Sequence, residues 1–328
     1  MSTATGVRRT GILVGLFAAA AALVVGVAQS AASGSVDPLH RATPVKAGPS
    51  SLLAIAPATA AARGVAAPKP SRAKPTRTTT SGIARPAATG TAVTPSGEAA
   101  PSGDVPGWKL KYVDDFGGNQ LNYRWFKYAG MPGGDPGGWW ANSHLVVASG
   151  MLTLAGYRDS AYGGKFTTAG VSSHLLAQTY GKWLVRFRVA SGQGVSYAAL
   201  LWPDTTSWPP EIDFAEDNGK ASRQVVTASL HYANARTSHQ VLRSTTDASL
   251  TGWHTLGVEW LPGSITYTLD GKPWSSVTGS AVPSVPMRLA LQTQAWNCGV
   301  PWETCPDRTT PSRVDMNVDW IAVYTPKA

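Results

Sequence analysis

From Trp108 onward, hydrophobic and polar positions alternate with a period of two, and Gly or Pro interrupts the alternation at intervals of roughly ten residues. Trp183, Val185, Phe187 and Val189 alternate with Leu184, Arg186 and Arg188. Ser264 to Leu269 runs into the turn pair Asp270-Gly271, while Thr227 to Tyr232, Met287 to Gln294 and Val314 to Tyr324 read the same way. No window carries the spacing of an amphipathic helix, and no internal repeat is present. Neighbouring side chains of a strand point to opposite faces, so such runs bury one face against a second sheet. Short strands without intervening helices predict an all-β fold, an antiparallel β-sandwich of the jelly-roll kind.

Composition divides the chain. Every Trp and Tyr lies at or beyond Trp108, so the residues before it have little from which to build a core. Arg8 and Arg9 precede an apolar run from Gly11 to Ala28 that ends in small residues, which predicts a secretory signal peptide over 1–32. The run is also just long enough to cross a bilayer, so a membrane-anchored form stays open if the leader is not cleaved. Residues 33–103, rich in Ala, Pro, Thr and Lys, predict a disordered linker, and 104–328 the folded domain. The formal charge of +9 sits almost wholly in the tail, leaving the domain near neutral, which removes nucleic acid as a partner. The expected product is a secreted, extracellular, monomeric protein, with cell-wall or membrane association through the tail.

Two cysteines exclude a multi-cysteine zinc module. Cys298 and Cys305 enclose six residues, and in an exported protein the expectation is a local disulfide, with a pair of free thiols as the alternative.

The chemistry concentrates in Trp208-Pro209-Pro210-Glu211-Ile212-Asp213-Phe214-Ala215-Glu216. With five Glu and fourteen Asp in 328 residues, Glu-x-Asp-x-x-Glu arises by chance about 0.003 times. Glu211 and Asp213 share a strand face, but Glu216 is an odd number of residues away and would point to the other side. One extra residue absorbed as a bulge at Phe214-Ala215 returns it, so the spacing predicts a bulge. Close carboxylates cannot all ionise, and that keeps a nucleophile charged while an acid stays protonated. The reaction this fits is retaining glycoside hydrolysis, with Glu211 as nucleophile, Glu216 as acid/base and Asp213 orienting Glu211. The bland alternatives are an exposed acidic strand edge or a calcium site.

This strand resembles the active-site strand of glycoside hydrolase family 16 in its bulged, laminarinase-like form. The likeness extends from Trp108 to Tyr324 and includes Gly150-Met151-Leu152-Thr153-Leu154, Ser229-Leu230-His231-Tyr232 and Val318-Asp319-Trp320. It implies a concanavalin A-like sandwich with a concave substrate cleft and cleavage of a polysaccharide partner, with β-1,3- or β-1,3-1,4-glucan the expected substrate and no cofactor required. It also implies an active-site role for His231 and a structural calcium held near Gly150 and Asp319, against which stand a satisfied interior histidine and an ordinary turn. The chain departs from the family's laminarinases at Val195 to Pro203, where these usually carry a Trp-Pro-Ala-Phe-Trp type stretch, and near Leu184, where a Glu is frequent.

Thirteen Trp suit both core packing and stacking on pyranose faces. Trp125, Trp183, Trp253, Trp260 and Trp320 fall in strand patterns and are read as core. Trp208 is the first candidate for sugar stacking, followed by Trp202, Trp296 and Trp302, and Gln292 is either a sugar ligand or a buried amide bonded to backbone. A non-catalytic lectin-like module and a transglycosylase using the same site are the rival functions.

Overall fold

The computed structural model describes residues 94–328 apart from 133, 134, 136 and 206. The leader and most of the linker therefore lie outside the described residues. In chain order the strands are β1 (Trp108–Asp114), β2 (Phe126–Lys127), β3 (Gly138–Trp140), β4 (Leu145–Ala148), β5 (Met151–Asp159) and β6 (Lys165–Thr168). There follow β7 (Gly170–Ser172), β8 (Gly181–Val189), β9 (Val195–Pro203), β10 (Glu211–Glu216), β11 (Val225–Tyr232) and β12 (Gln240–Asp247). The last are β13 (His254–Leu261), β14 (Ser264–Leu269), β15 (Lys272–Thr278), β16 (Met287–Ala295) and β17 (Arg313–Pro326). The helical residues among those described are three short 3-10 turns.

Pairing sorts the strands into two sheets, the jelly-roll sandwich that the alternation predicts. One sheet has the order β15-β14-β13-β8-β17-β5-β6-β3, with β1 added along β17 and β4 along β5. The other runs β12-β11-β10-β9-β16-β7-β2. Pairing is antiparallel apart from β3 with β6. The hairpin joining β14 to β15 turns at Asp270-Gly271, both at positive φ, the conformation that a tight hairpin needs and that Gly adopts without a Cβ clash.

Between the sheets lies one core. Trp183, Val185, Phe187 and Val189 of β8 meet Tyr197, Ala199 and Leu201 of β9 and Met287, Leu289 and Leu291 of β16, all essentially without exposure. Trp125, Trp183 and Trp260 join this core, whereas Trp320 is buried in a second cluster with Trp108 and Tyr324, packed by Leu184, on the outer face of the larger sheet. Trp253 departs from its core reading: it is half-buried, with the Arg188 guanidinium 4.8 Å from its ring centroid.

The linker boundary also moves. Residues 94–103, read as linker, are packed on that outer face: Ser96 N donates to Asp319 Oδ2 (3.1 Å), Arg186 pairs with Glu98 (2.8 Å), and Trp320 Nε1 donates to the Glu98 carbonyl (3.1 Å). The attachment is mainly polar, through hydrogen bonds and one ion pair, to which a composition argument based on apolar mass is blind.

Candidate active site

Strand β10 carries the acids, and its register shows how they come together. Glu211, Ile212 and Asp213 lie opposite His231, Leu230 and Ser229 of β11, but Glu216 lies opposite Thr227, so three steps on β10 match two on β11. The same extra residue falls between Asp213 and Ala215 against β9. Ile212, Phe214 and Ala215 all enter the core, the last two consecutively, and this returns Glu216 to the face of Glu211 and Asp213. All three acids line one cleft on the outer face of the seven-stranded sheet.

The partners of the two glutamates differ in kind. Trp208 Nε1 donates to Glu211 Oε2 at 2.8 Å, and an indole N–H has no accepting capacity. Glu216 Oε1 is bonded to the Ser229 hydroxyl, which donates to a carboxylate and equally accepts from a carboxylic acid. Burial and the charge of Asp213 push Glu216 up to about 8, against the opposing effects of Ser229 and Arg243. Burial, followed by the charge of Asp213, also lifts Glu211 well above the usual carboxylate range, with the Trp208 N–H pulling the other way. The donor-only partner marks Glu211 as the member suited to carry charge, and the hydroxyl partner lets Glu216 hold a proton.

The walls come from neighbouring strands and from loops. His231 Nε2 lies 3.2 Å from Asp213 Oδ2, and its Nδ1 is 2.9 Å from His239 Nε2, with Trp208 against the His239 ring. Asp217, next after Glu216, is buried in an ion pair with Arg223 at 2.6 Å, and its Oδ1 accepts the Gly219 N–H at 3.0 Å. The loop closed by the Cys298–Cys305 disulfide, whose Cα atoms are 4.9 Å apart, brings Pro301, Trp302 and Glu303 to the cleft. Burial, then the charges of Glu216 and Asp217, push Glu303 up to about 10.

The predicted ligand residues have mixed placements. Gln292 reaches the cleft, 4% exposed, with its Oε1 buried and unpartnered, so the reading as a backbone-bonded amide does not hold for that atom. Trp302 and Trp296 line the cleft too, the first under Arg243 (4.8 Å) and the second with its N–H donated to Ser196 Oγ (2.7 Å). Trp202 does not: it is 6% exposed, packed with Tyr128, Trp140, Leu200 and Ala290, because even-numbered β9 residues on this face are roofed over beyond Ala198. Trp208 packs on that apolar cluster, is half-buried, and its N–H is bonded to Glu211, so it clamps an acid.

Gly150 and Asp319 lie away from the cleft, and Asp319 accepts from Ser96 N, whose Oγ accepts from Arg186 Nε at 2.6 Å. Glu211, Asp213 and His231 place ligand-type atoms within 4.8 Å of one another, but this is the catalytic cluster itself. Asp217, Arg223, His239, Arg243 and Glu303 escaped the sequence reading, and Ser229 was named there only as part of a matching stretch, without a role; of the others Asp217 carried a local signal, as the residue following the motif.

Comparisons with known proteins fit this geometry. The endo-1,3-1,4-beta-glycanase ExsH of Rhizobium meliloti (strain 1021) is 29% identical over 151 residues, 46% of this chain and 31% of ExsH. EglC, an endo-1,3-1,4-beta-glycanase of the same strain, is 25% identical over 243 residues, 65% of this chain and 51% of EglC, so the chain spans about a third to about half of these relatives' length. The catalytic domain of an endo-1,3-beta-glucanase (laminarinase) from Thermotoga petrophila RKU-1 shares the fold, with a TM-score of 0.58 at 20% identity over 67% of this chain and 99% of that one. The pattern described as glycosyl hydrolases family 16 matches residues 137–322, more than half of the chain, and the chain belongs to that family.

Proposed function

We propose that the chain is a secreted, retaining endo-β-glycanase acting on β-1,3- or β-1,3-1,4-linked glucan. The observation that carries this reading is the bulged strand β10, with Glu211 held by a donor-only N–H and Glu216 by a hydroxyl on one face of the cleft. In the first step the Glu211 carboxylate attacks the anomeric carbon, the glycosidic C–O bond breaks, and Glu216 gives its proton to the leaving oxygen. In the second, Glu216 takes a proton from water as that water attacks the anomeric carbon and frees Glu211. Asp213, between the two and beside His231, sets the charge that each glutamate feels. No step needs a cofactor.

The linkage follows the names of the relatives, and the near-neutral domain agrees with an uncharged polysaccharide. Export is supported by the leader pattern and by the disulfide, which belongs to oxidising compartments. The test is reducing-end release from lichenan, laminarin, agarose and carrageenan by the protein and by Glu211→Gln, with NMR of the first-formed anomer. Release from a β-glucan with retention, lost in the variant, is expected. Unchanged release in Glu211→Gln overturns the assignment, and binding without release by the unsubstituted protein establishes the lectin-like alternative.

A further inference from the structure

The Cys298–Cys305 loop is stitched to the residues that follow the acid/base. Thr304 N and Oγ1 both donate to the Asn218 carbonyl (2.9 Å each), and Asn218 Nδ2 donates to the Trp302 carbonyl (2.9 Å). The seat is close: a Cβ on Gly194 would fall 1.9 Å from Pro306 N, so only Gly fits beneath the loop, where its φ is also +81°. Asn218 follows Glu216 by two residues, and the Glu303 carboxyl feels the charges of Glu216 and Asp217. In a double displacement the acid/base meets the leaving oxygen, so groups beside Glu216 border the part of the cleft that the departing sugar occupies.

Glu303 is the polar group that the loop delivers there. It lines the cleft with Glu216, and its Oε2 is buried without a hydrogen-bond partner. Gln294, 2% exposed, lines the same cleft with its own Oε1 unpartnered. Buried polar atoms without partners are costly, and those that line a cleft are free to bond water or a ligand's hydroxyls. Among the described residues lining the cleft, Arg243 is the sole Lys or Arg, and it sits over the Trp302 ring. An anionic sugar would thus meet several carboxyls and one cation already in contact with an aromatic face.

We infer that Glu303 is a specificity-determining residue: held by the disulfide loop, its carboxyl hydrogen-bonds a hydroxyl of an uncharged sugar unit on the leaving-group side of the bond that is cut. The inference rests on the glycanase reading. With its carboxyl raised toward about 10, Glu303 enters neutral solution as a hydrogen-bond donor as well as an acceptor.

The test compares the full chain with Glu303→Ala and Glu303→Gln on two substrates that share one donor portion: a β-glucan oligosaccharide and the matching aryl β-glycoside, whose leaving group is not a sugar. Glu303→Ala is expected to lower kcat/KM about five- to tenfold more on the oligosaccharide than on the aryl glycoside, the worth of one hydrogen bond. Glu303→Gln, which keeps a donor and an acceptor, restores most of that difference. Equal losses on both substrates, or no loss on either, overturn the proposal. Inactivity of the unsubstituted protein on both substrates defeats the glycanase reading instead. Glu303 is then read by affinity electrophoresis in lichenan and agarose, where equal retardation of Glu303→Ala and the unsubstituted protein overturns its role.

Discussion

Trp208 Nε1 donates to Glu211 Oε2 at 2.8 Å, so a residue three positions ahead of the catalytic strand holds the first carboxylate on it. Trp208 packs on the cluster of Tyr128, Trp140, Leu200 and Trp202, which supports the indole from behind. Replacement by Phe keeps a ring in that place and removes the N–H. Trp208→Phe should lower kcat about 10- to 100-fold, as expected for a hydrogen bond to a charged group. Loss of a donor destabilises the ionised form, so the acid limb of kcat/KM should move to higher pH. An unmoved acid limb in the pH–rate profile would refute the clamp.

Glu216 must be protonated when the glycosidic bond breaks, and burial with the Asp213 charge lifts it to about 8. Activity on oligosaccharides is therefore expected to hold through neutrality and fall above about pH 8. Glu216→Ala should lose oligosaccharide turnover yet keep the first step on an aryl glycoside, whose leaving group needs no proton. Added azide should then yield a β-glycosyl azide by entering in place of water. Product analysis by NMR checks this, and full activity of the variant on oligosaccharide would remove Glu216 from its role.

The same shift has a consequence for stability. A carboxyl whose pKa is raised by folding binds its proton more tightly folded than unfolded, so its contribution is complete below the unfolded value of 4.5 and is lost as pH climbs toward about 8. Glu216→Gln removes the cost of ionising a buried group. Its Tm should exceed that of the unsubstituted protein by a few °C at pH 8, with little difference at pH 5. Calorimetry at the two pH values decides; an equal offset at both would show that the gain is not electrostatic.

Residues 94–103 act as a strap on the outer sheet. A chain beginning at Asp104 loses the Glu98 partner of Arg186 and the amide that satisfies Asp319, a buried acid that is 1% exposed. The expected cost is about 2–4 kcal/mol in urea unfolding, from a stranded buried carboxylate and a broken ion pair. Its KM for glucan should be unchanged, because the strap lies on the larger sheet and the cleft on the other.

Much of the site was legible in one short stretch of sequence because strand geometry is local. Parity along a strand sets which residues share a face, so Glu211, Asp213 and Glu216 demanded one extra residue, and the register against β9 and β11 contains it. Cys298 and Cys305 were legible for a similar reason, being close in sequence and joined in the fold. The aromatic residues were less so, since a Trp in a β protein serves core and surface alike. Trp202 lies on the expected face yet beneath other side chains, and only the packing of Tyr128 and Trp140 determines that.

Length, patterning and the spacing of three acids thus determined the all-β class, the bulge and the chemistry, because each depends on contacts between neighbours along the chain. Tertiary structure alone decided what surrounds the acids. Tertiary folding brings β12, with Arg243, and the loop after β16, with Glu303, together in one cleft, although sixty residues separate them in sequence. Burial, which raises the carboxyls, exists only once the strands and loops that wall the cleft have come together. A one-dimensional pattern carries neither the order of strands nor the depth of a side chain, and these are the quantities that set charge and specificity in this site.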